Sequence, residues 1–315
     1  MKIAVSRFIV PAMMIAMLIV GSAGVAGAQS PKCSNSITSC GCTIGAPGDY
    51  TVDATLSAAQ GLTSKGGCID IEGENVNLDV YEKIVGPGSD AGCDSDQPKR
   101  NAGVGIHVLS TAKNTSINFF NVSTYLPAAC GWNIGLESEG SDAGWNQAVG
   151  NYNNIGMLFK NATHSNCVAC DFQNNVTGVE IAGGSGNTVA GGASVSNSQY
   201  GIWLNGTTGN TVSEAFPDRN NLAGIYLGCS TKGDVTPAIP CTITATTGNV
   251  LANNYSENGN KKYGIAVEKG SIGNEFLENE SFLNRKYDFI DGNGNCVYNL
   301  YSNDYYNTKS PRCIQ

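Results

Sequence analysis

The chain has 315 residues, of which 26 are acidic and 18 basic, giving a formal net charge of −8, with 12 cysteines and two histidines. That balance argues against nucleic acid as a partner, because phosphate recognition runs on basic contacts. It also disfavours a polyanionic ligand, unless basic residues cluster locally or a cation bridges the two.

In chain order, Lys2 and Arg7 precede an apolar run from Phe8 to Val20. Small residues follow, and Ala26-Gly27-Ala28 stands in front of Gln29. This is the pattern of a secretory signal peptide over residues 1–28. Its 13 apolar residues are few for a bilayer crossing, which takes about 20, and no second long apolar run follows. The expectation is a secreted protein, periplasmic or extracellular, with no membrane segment after cleavage. Without Lys2 and Arg7, 16 basic residues face 26 acidic ones, a net charge near −10. All 12 cysteines lie beyond residue 28, and an even count after an export signal reads as disulfides. Cys167-Val168-Ala169-Cys170 alone has the local spacing of a metal pair. It has no partner pair, so no metal is expected there.

Residues 29–315 read as one elongated domain. In residues 33–100, Cys42-Thr43-Ile44, Cys68-Ile69-Asp70-Ile71 and Val76-Asn77-Leu78-Asp79-Val80 predict a capping strand and the first coils. A polar loop from Gly86 to Arg100 could be closed by Cys93 and Cys130.

Beyond residue 100 a repeat takes over. A glycine followed by apolar-x-apolar occurs at Gly105-Ile106-His107-Val108, Gly178-Val179-Glu180-Ile181, Gly201-Ile202-Trp203-Leu204, Gly224-Ile225-Tyr226-Leu227 and Gly264-Ile265-Ala266-Val267. Weaker copies start at Gly135 and Gly156. From Gly156 the steps are 22, 23, 23 and 40 residues, with a degenerate copy at Asp288. A second signal, Gly-Asn, keeps nearly constant phase with the first at Gly186, Gly209, Gly248, Gly273 and Gly294, with Ser165-Asn166 as a relaxed version. Apolar-x-apolar is strand alternation. Gly and Asn accept the positive φ of sharp bends. No single turn can bury its inner face, so turns of about 23 residues must stack, with parallel pairing and a ladder of bend asparagines. The step of 40 marks an inserted loop, residues 228–247, in which Cys229 and Cys241 are expected to pair. Cys296 and Cys313 are expected to pin the C-terminal tail over the last, otherwise open, sheet edge. A leucine-rich repeat would need L-x-x-L-x-L before the asparagine and a helical stretch after it, and neither is present. The reading is all-β: a single-stranded, right-handed parallel β-helix.

The opening C-x-I-x-x-P-G-x-Y, then C-I-x-I, V-x-L-D and the Y-G-I-x-L…G-N repeats together resemble the NosD-like and pectin-lyase-like right-handed β-helix superfamily, over roughly residues 40 to 308. The resemblance implies the architecture. Its members include pectate lyases, polygalacturonase-type hydrolases, alginate epimerases and proteins without known activity, so fold does not fix function. The R-x-P-x-x-R motif of pectate lyases is missing, as are the Asp-Asp and Gly-His-Gly blocks of polygalacturonases and the D-P-H of epimerases.

Alternation places Glu180, Trp203, Tyr226 and Ala266 in one outward column, with Asn205 two positions past Trp203. Aromatic faces stack on sugars, so Glu180, Trp203, Asn205 and Tyr226 form the expected ligand-binding strip, with polysaccharide or a cell-surface glycan as partner. The inserted loop could wall or cover it. Glu180 is the one candidate catalytic carboxylate, and no second is identifiable. The leading expectation is an exported protein that binds an extracellular polysaccharide through this strip, and could process it. The alternatives are a lyase or hydrolase with an unrecognised site and a structural or adhesive surface protein. No cofactor signature is evident. Glu275, Glu278 and Glu280 read as a solvated acidic face, with Ca²⁺ the alternative there. His107 reads as a lone outward surface residue, and Phe172, Phe216, Tyr255 and Tyr301 as an interior aromatic stack.

Overall fold

The computed structural model describes residues 30–58, 61–63, 65–87, 103–120, 129–229, 235–236, 246–256 and 258–314. The leader expected at 1–28 lies outside them. So do Cys241 and Cys93, the proposed partners of Cys229 and Cys130. Cys229 and Cys130 are themselves disulfide-bonded.

The chain winds as a right-handed parallel β-helix with three faces. The first sheet has 11 parallel strands, from Cys42–Ile44 to Lys309–Ser310. The second has 10, from Gly48–Val52 to Leu300–Ser302. The third face is divided between a four-stranded and a three-stranded sheet. Neighbours in each sheet are one coil apart in sequence, and no α-helix occurs among the described residues.

Register explains the core. Ile69, Ile106, Leu136, Met157, Val179, Ile202, Ile225, Ile265 and Phe289 pair in succession down the first sheet, and all are buried. Each lies above its counterpart at the inter-strand spacing of about 4.8 Å, so the core is a continuous column. The step of 40 is an insertion within one coil, since Leu227 still pairs with Val267.

The two glycine signatures have different causes. Gly186, Gly209, Gly248 and Gly273, which precede ladder asparagines, have φ of 69°, 66°, 63° and 71°. They form left-handed bends that L side chains rarely adopt. The glycines of Gly-apolar-x-apolar are needed for close stacking. A Cβ on Gly201 would sit 2.6 Å from the Gly224 carbonyl oxygen, and one on Gly224 would sit 2.7 Å from that of Gly264.

Buried asparagines form ladders at the bends. In one, the backbone N–H of Asn187 donates to the Asn210 side chain at 3.0 Å, and the pattern repeats through Asn249 and Asn274 to Asn299. A second runs from Asn153 through Asn175, Asn197, Asn220 and Asn260 to Asn284. Each rung satisfies a backbone donor that would otherwise cost about 1–3 kcal/mol.

These ladders correct one expectation. The position equivalent to Asn187 in the preceding coil is Ser165, not Asn166, because Ser165 N–H donates to Asn187. In the last coil it is Asn299, not Asn295. Counting from Asn166 and Asn295 therefore merged two parities. Phe172 is interior, and Tyr301 stacks on buried Phe276 at 5.3 Å. Phe216 points outward, 47% exposed and stacked on Tyr255.

Described disulfides join Cys33–Cys42, Cys40–Cys68, Cys167–Cys170 and Cys296–Cys313. The first two tie the N-terminal segment to the first coils, and the last pins the C-terminal tail as expected. Cys167–Cys170 needs both thiols to face inward across three residues. Ala169, at φ 55°, makes the bend that allows it.

Candidate functional site

The outward column of the first sheet holds the candidate site. Pairing runs from Asp70 to His107, Glu137, Leu158, Glu180, Trp203, Tyr226, Ala266 and Ile290. A second outward column, two residues on, carries Lys160, Ala182 and Asn205 in register. Glu139 follows the strand Ile134–Ser138 and packs beside Lys160.

The expected strip is outward but not open. Trp203 is 7% exposed and Tyr226 fully buried. Tyr200 stacks on Tyr226 at 4.8 Å and lies 5.1 Å from Trp203. Val235, from the insertion, packs into the same cluster together with Ala266 and Tyr263, and its carbonyl accepts from the Lys269 N–H. Polar groups are used as well. Trp203 Nε1 donates to the Gly228 carbonyl at 2.7 Å, Tyr226 Oη to Glu268 at 2.9 Å, and Asn205 Nδ2 to Glu180 at 2.8 Å. Val235 and the Gly228 carbonyl thus lie against the aromatics, and the rings of Trp203 and Tyr226 are buried. Burial raises the Glu180 carboxyl above the ordinary range, with the Asn205 hydrogen bond opposing.

The N-terminal half of the column carries the chemistry that the sequence reading passed over. His107 is outward as expected, but it is 7% exposed and not alone. Its Nδ1 lies 3.5 Å from Asp70 Oδ1, and its Nε2 lies 3.8 Å from both Glu137 Oε2 and Glu139 Oε2. Neither ring nitrogen makes a hydrogen bond of good geometry, nor does Asp70 Oδ1. The other Asp70 oxygen accepts from the Thr63 hydroxyl, which accepts the Gly67 N–H at 3.0 Å. Lys160 Nζ, half-exposed, reaches Glu139 at 2.6 Å and Glu137 at 3.6 Å.

Several carboxylates around one imidazole move its titration. Burial lowers the His107 pKa, but the adjacent Asp70 and the charges of Glu137 and Glu139 outweigh it, so the ring holds its proton above the ordinary histidine range. Burial raises the Glu137 carboxyl, against the opposing pull of His107 and Lys160. Desolvation plus specific charge partners in one place makes this cluster the candidate site. The signal for it lay in the repeat: Asp70 and His107 both occupy the x of apolar-x-apolar, one coil apart.

Glu278 is exposed, and Glu275 and Glu280 are half-buried. Exposed aromatics stand elsewhere: Tyr81 stacks on Phe120 at 5.2 Å, both about 40% exposed.

No family model matches this chain, and no curated protein sequence does. Among solved structures it is similar to the Dettilon tailspike protein, at 12% identity and a TM-score of 0.52, over 84% of this chain and 59% of the tailspike. The periplasmic alginate epimerase AlgG gives 13% identity and a TM-score of 0.43, over 84% of this chain and 60% of the epimerase. Pectate lyase Pel9A gives 15% and 0.36, over 87% of this chain and 70% of the lyase. The chain thus spans about three-fifths of the first two, and the likeness is one of fold.

Proposed function

We propose that this right-handed parallel β-helix protein binds an extracellular polysaccharide along the outer face of its first sheet, and processes it by acid–base chemistry at Asp70, His107, Glu137, Glu139 and Lys160. The observation that carries this reading is a buried imidazole between carboxylates on neighbouring coils, with both ring nitrogens short of good hydrogen bonds. Buried polar groups are ordinarily satisfied, so an exception on an outer face points to work done there. A solenoid face also suits a linear polymer, because each coil presents an equivalent position at a fixed rise of about 4.8 Å. The disulfides support an exported setting.

The roles follow from position. Asp70, held by Thr63, orients the ring through Nδ1. Nε2, protonated between two glutamates, is the donor to a leaving oxygen, and after transfer it is a base. Glu137, its carboxyl raised by burial, and Glu139 supply the second acid–base partner. Lys160 is the most exposed member, with half its side chain accessible, and it is placed to meet an acidic sugar. Glu180 stands two coils beyond Glu137 and Asn205 three, and both extend the polar surface along the axis.

The test is incubation of the purified, disulfide-bonded protein with a panel of uronate and neutral glycans, with and without Ca²⁺. Expected are new reducing ends or unsaturated products that disappear in His107→Ala. Glycan binding without product would remove the catalytic half of the proposal. Neither binding nor product across the panel would overturn the whole.

A further inference from the structure

The same cluster has a second property that does not depend on any glycan. His107, Glu137 and Glu139 offer one imidazole nitrogen and two carboxylate oxygens, all within 4.8 Å of one another. We infer that these three side chains form a binding site for a divalent transition-metal cation, with Asp70 and Thr63 as its supporting shell and Lys160 as the cation that the metal displaces.

Three observations converge. The first is the donor set. A tetrahedral ion with bonds of about 2.0–2.2 Å places its ligand atoms about 3.4 Å apart. Nε2 stands 3.8 Å from each glutamate oxygen, and all three ligand atoms lie within 4.8 Å of one another, so closure asks for movements of no more than about 1.4 Å. The second is the vacant Nε2. The His107 side chain is more than nine-tenths buried, and this nitrogen is aimed at the two glutamates without a hydrogen bond. A surface acidic patch has no reason to bury such a nitrogen. The third is what stands behind the ring. A metal-bound histidine donates its other N–H to a carboxylate that is itself hydrogen-bonded. Asp70 faces Nδ1 at 3.5 Å and is held in turn by Thr63 and the Gly67 N–H.

Lys160 fits the same picture. Its ammonium bridges Glu137 and Glu139, where a positive charge is wanted, but half its side chain is exposed, so it can swing out. No described cysteine is free to compete for the ion. An imidazole beside carboxylates favours Zn²⁺ or a neighbouring first-row ion over Ca²⁺, which takes six to eight oxygens. This differs in place and in ion from the Ca²⁺ alternative at Glu275, Glu278 and Glu280.

The experiment is calorimetric titration of the untagged, chelator-stripped, disulfide-bonded protein with Zn²⁺, and separately with Ca²⁺, followed by metal analysis after desalting. Expected is one equivalent of Zn²⁺ retained, with Ca²⁺ at least 100-fold weaker. Asp70→Asn should weaken Zn²⁺ by about 10–100-fold, the usual cost of losing a supporting carboxylate. Glu139→Gln, a change at a partly exposed position, should weaken it further, and Lys160→Met should tighten it. Circular dichroism and thermal melts establish that each variant is folded. Sub-stoichiometric binding, equal affinity for Ca²⁺, or a Zn²⁺ affinity that Glu139→Gln and Lys160→Met leave unchanged would overturn the site. A metal on Nε2 takes the place of the proton used in the proposed acid–base step, so the glycan assay is run on the chelator-stripped protein and read separately, and either proposal can then fail alone.

Discussion

The outward column of the first sheet divides into two halves built on the same backbone plan. From Asp70 to Glu137 every outward side chain is ionisable. From Trp203 to Ala266 every one is aromatic or apolar, and Val235 of the insertion is packed against them. Both halves are buried, so exposure does not tell them apart. What differs is hydrogen bonding: Trp203, Tyr226 and Asn205 have partners at 2.7–2.9 Å, whereas both His107 nitrogens lack one. One half is a satisfied second core on the outside of the helix. The other holds unsatisfied polar groups, and the proposed chemistry rests on those.

The sharpest way to break this contrast is His107→Ala. Product formation from the responsive glycan should fall by about 10²–10⁴-fold, the usual contribution of a positioned acid–base group, with a lowered thermal midpoint because Asp70 and Glu137 lose their buried counter-charge, so activity is compared at a temperature where the variant is folded. A large drop in midpoint with activity retained would reverse the assignment of the two halves. Next, Tyr226→Ala or Trp203→Ala should cost about 3–5 kcal/mol, as large buried aromatics do. Glycan affinity of the folded variants should be unchanged, as read by denaturation midpoints beside a binding assay. A smaller effect is expected from Tyr226→Phe, which removes only the hydroxyl that donates to buried Glu268. The loss should be about 1–3 kcal/mol, and a neutral result would mean that the Cys229 N–H, which donates to the same Glu268 oxygen at 2.7 Å, satisfies it alone.

The boundary between the halves can be probed by pH. Burial lifts the pKa of Glu180 above its value in the unfolded chain, so the folded state keeps that proton to higher pH than the unfolded state does. The stability linked to this group is therefore complete below the ordinary carboxylate pKa and is lost as pH rises through the raised folded value. Glu180→Gln, which keeps the acceptor for Asn205, should melt higher than the parent near pH 7. The gap should close toward about pH 4, where the parent is itself protonated. A constant gap across that range would show that Glu180 titrates alike in both states.

Much of this architecture was legible in the chain. The phase between Gly-apolar-x-apolar and Gly-Asn reported two strands and a bend per coil, and Leu227 pairing with Val267 across the insertion is what a step of 40 demanded. The outward column through Glu180, Trp203 and Tyr226 followed from alternation alone. Errors arose where a motif was matched loosely. Ser165, not Asn166, is the ladder residue, because a serine hydroxyl can replace the amide at that rung. A shift of one residue reverses which face a strand side chain occupies, and that misplaced Phe216 and Tyr255. His107 was read as solitary because Asp70 and Glu137 stand 37 and 30 residues away in sequence, across coils of irregular length.

The sequence by itself determined the coil and its parity, because local geometry is a property of short stretches: alternation selects a face, and glycine and asparagine select a bend. Only the tertiary structure decided which outward residues are covered and which ionisable groups meet. Those depend on where an insertion such as Val235 comes to lie, and on stacking that brings Asp70, His107 and Glu137 within about 4–5 Å of one another per coil, where desolvation and charge act together.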